Sequence, residues 1–251
     1  MSETLPHKAL AAFVRTHFGA ELEEVDLIGG GQSNPTYFIT AGEKQFVLRK
    51  QPYGPILKGA HAVDREFRVL QALSQTTVPV PKPLLFCEDA SILGTPFYIM
   101  ERLHGRVFHD AALPNLSPDE RYACYQSMAE TLARLHAVDP LSIGLSDFGR
   151  PGNYFERQLA RWSKQWNESS VTRIPALDQL IEELSLRLPE DDGCISIVHG
   201  DYRMGNLLFH ESKPHVIAIL DWELSTLGHP LADLGFAVMA WHTTPQDYGG
   251  I

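Results

Sequence analysis

The sequence of 251 residues contains no run of about 18 apolar residues, the length that a membrane-spanning helix requires. Its first ten residues, MSETLPHKAL, include polar and acidic side chains and lack the apolar core of a secretory signal. Both absences argue against a membrane-spanning or secreted protein. We therefore expect a protein that works in an aqueous compartment without a membrane partner.

Cysteine is scarce as well. The chain has three cysteines, Cys87, Cys124 and Cys194, and their spacing forms neither a disulfide framework nor a paired zinc motif. This usage is typical of a reducing compartment, so we expect a cytoplasmic protein.

Positive charge is outnumbered by negative charge. There are 21 Lys and Arg residues against 31 Asp and Glu residues, which gives a formal net charge of -10. This balance disfavours broad nucleic-acid binding, because such binding depends on basic side chains that neutralise phosphates. An anionic ligand would need a local group of positive charges.

What the sequence does contain is the composition of a globular protein, with 44% hydrophobic and 21% charged residues. Up to residue 101, short apolar runs bounded by turn-forming residues predict several strands, and two stretches with helical spacing interrupt them. This pattern indicates a small antiparallel sheet. The predicted helices are 7–18 and 61–74, and the predicted strands are 22–28, 35–40, 45–50, 84–87 and 97–101.

Beyond residue 101 the spacing of apolar residues becomes mainly helical. Ser117, Pro118 and Glu120 predict a capping box with proline at the first helical position. Apolar stripes at 155–166 and 177–188 predict two more helices, and we expect both stripes to lie in the core. The remaining predicted elements are strands at 194–198 and 216–220 and a helix after Pro230.

The two patterns together predict an α+β fold with two lobes. The strand-rich lobe covers residues 1–101, and the helix-rich lobe covers residues 102–251. Ligand sites favour the boundary between two such units. The junction near residue 102 is therefore where we expect a ligand.

The strongest functional signal is the segment VHGDYRMGNLL at residues 198–208. It contains a His-x-Asp arrangement, His199 and Asp201, with Asn206 five residues further on, and Asp221 closes the next apolar strand. Phosphoryl transfer needs a carboxylate that orients the attacking hydroxyl and oxygen ligands that hold magnesium against the phosphates. Asp201 suits the first task, and Asn206 and Asp221 suit the second. The alternative is that these side chains only cap backbone groups of a loop.

This arrangement of Asp201, Asn206 and Asp221 resembles the aminoglycoside phosphotransferase and choline kinase family, whose fold is similar to that of protein kinases. In finer detail, the segments HGDYRMGNLL, ILDWELSTLGHPLADLG and GGGQSNPTYFI resemble the kinase-like domain found fused to acyl-CoA dehydrogenases and its free-standing bacterial relatives. The resemblance runs from about residue 22 to the end. It implies a bilobal protein-kinase-like fold that binds ATP and Mg2+ between its lobes and phosphorylates a small hydroxylated molecule. Because family members usually continue through several more helices, we expect the C-terminal lobe to be truncated.

The resemblance also implies two segments that hold the nucleotide. A glycine-rich turn between two strands would cover the phosphates with backbone amides, although an ordinary hairpin turn is the alternative. In the segment that joins the lobes, Met100 would form the back of the adenine pocket, and Glu101 and Leu103 would bind adenine through their backbone. The residues of the glycine-rich turn are Gly30, Gly31 and Ser33.

Charged residues complete the implied nucleotide site. Alternation along the third strand puts Val47 and Arg49 on one face, so Arg49 rather than Lys50 takes the place of the phosphate-binding lysine of protein kinases. Val47 would pack on the adenine, and Glu66 would pair with Arg49, unless the two charges are simply solvated. Arg203 would neutralise charge on the transferred phosphoryl group or lie at the surface.

Other polar residues of the motifs have an implied structural role. His199 would brace the catalytic loop, and Asp233 would hydrogen-bond the backbone of that loop. Several aromatic residues could line an acceptor pocket, but we expect them to pack in the core. These are Tyr154, Trp162, Trp166 and Trp241.

Two alternatives to a small-molecule kinase remain at this stage. One is a pseudokinase, a non-catalytic nucleotide-binding module. The other is a metal-dependent hydrolase that uses His199, Asp201 and Asp221, although the sequence lacks the paired histidines typical of zinc sites. The acceptor is not encoded in the motifs, and the resemblance admits a hydroxyacyl-CoA or an aminoglycoside- or choline-like metabolite.

Overall fold

The first lobe is built on a five-stranded antiparallel sheet with the order β1-β2-β3-β5-β4. The structure is a computed structural model that describes residues 5–29, 34–54, 61–150, 152–169 and 172–244. The sheet confirms the sequence prediction. Its strands are β1 Leu22–Leu27, β2 Thr36–Ala41, β3 Lys44–Lys50, β4 Pro83–Cys87 and β5 Phe97–Glu101.

Side-chain alternation gives this sheet two different faces. Leu48 and Ile99 belong to a core cluster with Leu10 of the first helix, whereas Tyr98 belongs to the larger cluster that continues into the second lobe. Arg49 follows the alternation and lies on the face of Tyr98. The helices of this lobe are α1 His7–Phe18, α2 Val63–Leu73 and α3 Ala90–Leu93.

The second lobe is mainly helical and carries two small antiparallel sheets, with the orders β6-β8-β9 and β10-β7. One-turn 3-10 helices at Met204–Asn206 and Trp222–Leu224 lie between strands of this lobe, and a third at Met239–Trp241 follows its last helix. The helices are α4 Pro118–His136, α5 Tyr154–Glu168, α6 Pro175–Leu186 and α7 Leu231–Val238. The strands are β6 Arg106–Val107, β7 Ser196–Val198, β8 Leu207–Phe209, β9 Val216–Ile219 and β10 Thr226–Gly228.

The expectation that the apolar stripes of α5 and α6 lie in the core is wrong. No residue of either helix is buried, and Trp162 is 56% exposed. The two helices pack on each other and leave their shared stripe as an open groove of about 410 Å³, which we call the α5–α6 groove. A stripe predicts an apolar helix face, not the element that covers it. The groove is lined by Leu159, Trp162, Trp166, Leu177, Leu180, Ile181, Leu184 and Leu188.

The other aromatic residues have packing contacts. The ring of Tyr154 lies over Gly228, where an ideal Cβ atom would come within 2.5 Å of it. Trp241 is half exposed and contacts the ring of Tyr125, with 4.7 Å between centroids. Among the described helices, none has the length and apolarity needed to cross a membrane.

Candidate active site

His199 braces the loop that follows β7. Its side chain is fully buried, its Nε2 lies 2.8 Å from the carbonyl oxygen of Leu220, and its Nδ1 accepts the backbone N–H of Asp201 at 3.2 Å. An acceptor role for Nδ1 requires a neutral ring with the proton on Nε2. Leu220 also donates its N–H to the backbone oxygen of Asn206 at 2.8 Å. The residue before Asp221 is therefore bonded to two positions of the catalytic loop.

Asp233 of α7 fixes the same loop from the other side. It is fully buried, and its two carboxylate oxygens accept the backbone N–H groups of His199 and Gly200, each at 2.8 Å. The Nε2 of His136 lies 3.0 Å from the oxygen that binds His199. Gly200 has a φ of 86°, and an ideal Cβ atom there would lie 2.7 Å from the oxygen of Leu224. These contacts confirm the predicted structural roles of His199 and Asp233.

Asp201 is partly accessible to solvent, with its side chain 22% exposed. The amide nitrogen of Asn206 donates to its backbone oxygen at 2.8 Å and to its Oδ2 at 2.7 Å. Because the Asn206 nitrogen is directed to Asp201, the amide oxygen is the atom that remains for a cation. The carboxylate of Asp201 is thereby held in one orientation.

The side chain of Arg203 is directed towards Asp201 of the same loop. Its Nε lies 3.3 Å from both carboxylate oxygens, and its side chain is 46% exposed. This position depends on Gly205, because an ideal Cβ atom there would lie 2.7 Å from Nη1 of Arg203. Arg203 is thus an exposed cation next to the candidate base.

Arg49 reaches from β3 into a group of three carboxylates. Its Nε lies 2.7 Å from Glu66 Oε2, and its Nη2 lies 2.5 Å from Asp221 Oδ1 and 3.6 Å from Glu223 Oε2. The contact with Glu66 is an ion pair without good hydrogen-bond alignment. Burial lowers the pKa of Arg49, but the nearby carboxylates of Glu66, Asp221 and Glu223 raise it overall, so the guanidinium stays protonated.

Glu66 is the most buried of these carboxylates, with a side chain that is 1% exposed. It accepts hydrogen bonds from Asn34 Nδ2 at 2.5 Å and from the hydroxyl of Tyr98 at 3.0 Å. Burial raises the pKa of Glu66 to about 7, while Arg49 and both hydrogen bonds act in the opposite direction. Asn34 and Tyr98 were not identified from the sequence, although Tyr98 shares the strand face of Arg49 and Asn34 ends the glycine-rich cluster.

Asp221 follows β9 in the left-handed conformation, with φ 64° and ψ 67°. Among residues other than glycine, aspartate and asparagine adopt this conformation most readily. Its carboxylate is 35% exposed and turns towards Arg49. Carboxylate and amide oxygens suit Mg2+, so the donor set of Asp221 and Asn206 fits the predicted metal.

Among the described residues, His199, Asp201 and Asp221 do not form the group of metal ligands that the hydrolase alternative requires. Within the part of the chain that the structure describes, the group of His, Cys and acidic side chains close enough for a metal is Asp192, Cys194 and His229, away from the catalytic loop. His229 Nδ1 accepts the N–H of Leu231 at 3.2 Å, so its proton lies on Nε2 and faces Asp192. In this structure His229 thus bonds to the first N–H of α7 and to the Asp192 carboxylate.

The segment that joins the lobes lies beside β3. Val47 is 8% exposed and pairs with Met100, while Glu101 uses its carboxylate to accept the N–H of Lys82 at 2.7 Å. The adenine-binding roles of Val47, Met100, Glu101 and Leu103 stay predictions. The predicted phosphate-binding residues Gly30, Gly31 and Ser33 lie outside the described residues.

Comparison with curated proteins identifies the relatives of this chain. Acyl-CoA dehydrogenase family member 11 of Rattus norvegicus is 47% identical over 243 residues, which cover 92% of this chain and 31% of that protein. Acyl-CoA dehydrogenase family member 10 of Mus musculus is 44% identical over 242 residues, which cover 95% of this chain and 22% of that protein. The chain thus spans less than a third of the length of these relatives.

Solved structures give the same fold. A protein of Ralstonia eutropha JMP134, provisionally named an aminoglycoside phosphotransferase, is 46% identical with a TM-score of 0.87, and the match covers 99% of this chain and 74% of that one. Aminoglycoside phosphotransferase APH(4)-Ia, solved with ADP and hygromycin B, is 18% identical with a TM-score of 0.68, covering 93% and 77% of the two chains. At that identity the likeness concerns the fold alone.

A family model adds the decisive match. The model of the phosphotransferase enzyme family covers residues 24–248, which include every charged residue of the site described above. The predicted protein-kinase-like fold is confirmed by the solved relatives. The chain therefore belongs to the phosphotransferase enzyme family.

Proposed function

We propose that this chain is an ATP-dependent kinase that transfers the γ-phosphoryl group to a hydroxyl group of a small molecule. The observation that carries the proposal is the pair of hydrogen bonds from the backbone of Leu220 to His199 and Asn206. Through these bonds, Asp221 is joined to the loop in which Asn206 holds Asp201. Phosphoryl transfer needs the base and the metal ligands at fixed positions relative to each other. A loop with only a capping role would not require both.

In the proposed reaction, Asp201 orients the acceptor hydroxyl and accepts its proton. The hydroxyl oxygen bonds to the γ-phosphorus as the bond between that phosphorus and the bridging oxygen of ADP breaks, and ADP leaves. Arg49 holds the phosphates, and Arg203 offsets charge on the group in transfer. Because the transition state is loose, positioning and charge neutralisation supply most of the acceleration.

Asn206 and Asp221 would hold Mg2+. When bound there, the ion supplies positive charge that offsets the phosphate oxygens. Asp221 is bonded to Arg49 in this structure, and its partial exposure leaves the carboxylate accessible to a cation.

For the acceptor we propose a hydroxyacyl-CoA or a related hydroxylated metabolite. The curated relatives at 44% and 47% identity are acyl-CoA dehydrogenase family members, although this chain covers a minor part of each. The relative solved with hygromycin B is 18% identical, which supports an aminoglycoside acceptor less. The pseudokinase alternative is not favoured, because Asn206 and Arg203 contact the candidate base Asp201, and Arg49 contacts both Glu66 and Asp221.

The proposal is tested by measuring ADP release over a panel of hydroxylated metabolites that includes hydroxyacyl-CoAs, choline and aminoglycosides. Loss of the base should lower turnover in Asp201→Ala by roughly a thousandfold, while the Kd for nucleotide changes less than about twofold. Asp147→Ala, which removes a carboxylate that is 71% exposed, serves as the matched control and should turn over normally. Unchanged turnover in Asp201→Ala would refute the proposal.

A further inference from the structure

Arg65 of α2 bonds to the interior of the second lobe. Its Nη2 donates to the carbonyl oxygen of Phe148 at 2.7 Å and lies 3.4 Å from the carbonyl oxygen of Ser225, and its guanidinium carbon lies 4.2 Å from the centre of the Phe148 ring. Phe148 and Ser225 are 1% and 5% exposed, so these are contacts to buried backbone. One side chain thus joins α2 to two separate segments of the second lobe.

These segments matter because of what lies beside them in the chain. Glu66 follows Arg65 on α2, and Ser225 lies four residues after Asp221. Arg49 contacts the carboxylates of Glu66 and Asp221, at 2.7 Å and 2.5 Å. To keep both contacts, α2 and the segment 221–225 must stay at a fixed distance from each other. Hydrogen bonds from a guanidinium are charge-assisted and directional, so they suit a spacer of this kind.

We propose that Arg65 is a positioning residue that sets the distance between Glu66 and Asp221 and so keeps Arg49 in place for the nucleotide phosphates. The inference rests on the proposed kinase function. It gives α2 a second role besides carrying Glu66, because Arg65 fixes the position of this helix relative to the second lobe.

Arg68 offers a matched comparison on the same helix edge. It bonds to the Asp147 side chain and to the carbonyl oxygen of Gly144 at 2.9 Å, but among the described residues it makes no hydrogen bond to the segment after Asp221. Its side chain is 42% exposed and that of Asp147 is 71% exposed, so water screens the pair. Arg68 therefore ties α2 to the second lobe without reaching the segment of Asp221.

The experiment compares Arg65→Met, Arg65→Lys and Arg68→Met with the unmodified chain. Calorimetry gives the Kd for ADP with magnesium, thermal unfolding gives Tm, and hydrogen exchange follows the backbone amides of residues 222–228 without nucleotide. We expect Arg65→Met to raise Kd about tenfold, as for one charge-assisted hydrogen bond, and to speed exchange at 222–228. Arg65→Lys should restore part of the affinity, and Arg68→Met should change Kd less than about twofold and lower Tm less than Arg65→Met does.

Two results would overturn the inference. One is exchange at 222–228 that is no faster in Arg65→Met than in Arg68→Met. The other is a Kd that changes equally in both methionine variants, which would assign Arg65 a general stabilising role. If the unmodified chain binds no nucleotide, the proposed function fails, and the exchange measurement still decides the role of Arg65.

Discussion

At the scale of single residues, the dominant feature is one guanidinium among three carboxylates. Arg49 contacts Glu66, Asp221 and Glu223, so this group carries a net negative charge before any ligand arrives. A nucleotide would add further negative charge at the same place. The site therefore needs a cation to accompany the nucleotide, although one arginine is already present.

This charge balance predicts that nucleotide binding depends on metal. Removing divalent cations with EDTA should raise the Kd for ADP at least about tenfold, a change of about 1.4 kcal/mol. Isothermal titration of the unmodified chain with and without magnesium checks this. Equal affinities would show that Arg49 alone compensates the phosphates.

A second residue-scale prediction concerns the pH dependence of stability. Burial raises the pKa of Glu66 to about 7 from its ordinary value of 4.5, so between these values the folded chain holds a proton that the unfolded chain has released. The resulting stabilisation is complete below about pH 4.5 and is lost as the pH rises through about 7. When the pH is raised from 5 to 8, the free energy of unfolding of Glu66→Gln should therefore fall less than that of the unmodified chain. Urea unfolding at each pH measures it.

Asp147→Asn is the control for that measurement. A side-chain hydrogen bond from Arg68 lowers the pKa of Asp147, so the stability this carboxyl contributes is lost only as the pH falls through that lowered value. The variant should follow the unmodified chain between pH 5 and pH 8. A Glu66→Gln curve that coincides with both would contradict the assigned ionisation.

At the scale of elements, α4 begins with the capping box that the sequence predicts. The Ser117 hydroxyl accepts the N–H of Glu120 at 3.3 Å, and the Glu120 carboxylate accepts the N–H of Ser117 at 3.0 Å. Ser117→Ala removes the hydroxyl that accepts the N–H of Glu120, one of the N–H groups at the start of α4 that have no partner within the helix. The free energy of unfolding should fall by about 1 kcal/mol. Urea unfolding measures the change.

Ser185→Ala is the matched control for the cap. The Ser185 hydroxyl bonds back to the carbonyl oxygen of Ile181 within α6 at 2.8 Å, a contact that adds little to a helix interior. We expect a change of less than about 0.5 kcal/mol there. If the two variants lose equal stability, the capping box has no special role.

The sequence was sufficient for most elements because their signals are local. The alternation around Val47 predicted both the strand and the face of Arg49, and the capping box located the start of α4. The stripes of α5 and α6 predicted helices correctly and burial wrongly, because burial depends on a partner element that the stripe does not specify.

The site was only partly predictable for a related reason. The motifs name Asp201, Asn206 and Asp221, whose residue types are tied to the chemistry. The contact of Asn34 with Glu66 joins residues 32 positions apart, and that of Arg49 with Asp221 joins residues 172 positions apart. The first pairing lies within the strand-rich lobe and the second joins the two lobes, so both follow from tertiary packing, which no local pattern encodes.

At the scale of the whole molecule, the α5–α6 groove is a large apolar surface on an acidic protein. We expect a hydrophobic dye such as ANS to bind there, and Trp162→Gln should lower the dye signal at least about twofold without changing nucleotide affinity. Leu141→Gln is the control, since Leu141 is 71% exposed but lies outside the groove. An equal signal in both variants would place the dye elsewhere.

The alternation along β3 has a consequence for chemical proteomics. A nucleotide analogue that acylates an amine needs a lysine beside the phosphates, whereas the cation at the proposed phosphate site of this chain is Arg49, a guanidinium that stays protonated and reacts poorly. The adjacent amine, Lys50, points to the opposite face, is fully buried and lies 3.4 Å from the centre of the Tyr53 ring. On the proposed function, an amine-reactive nucleotide probe would therefore find no amine at the position of Arg49, whereas a reversible nucleotide affinity resin would retain the chain.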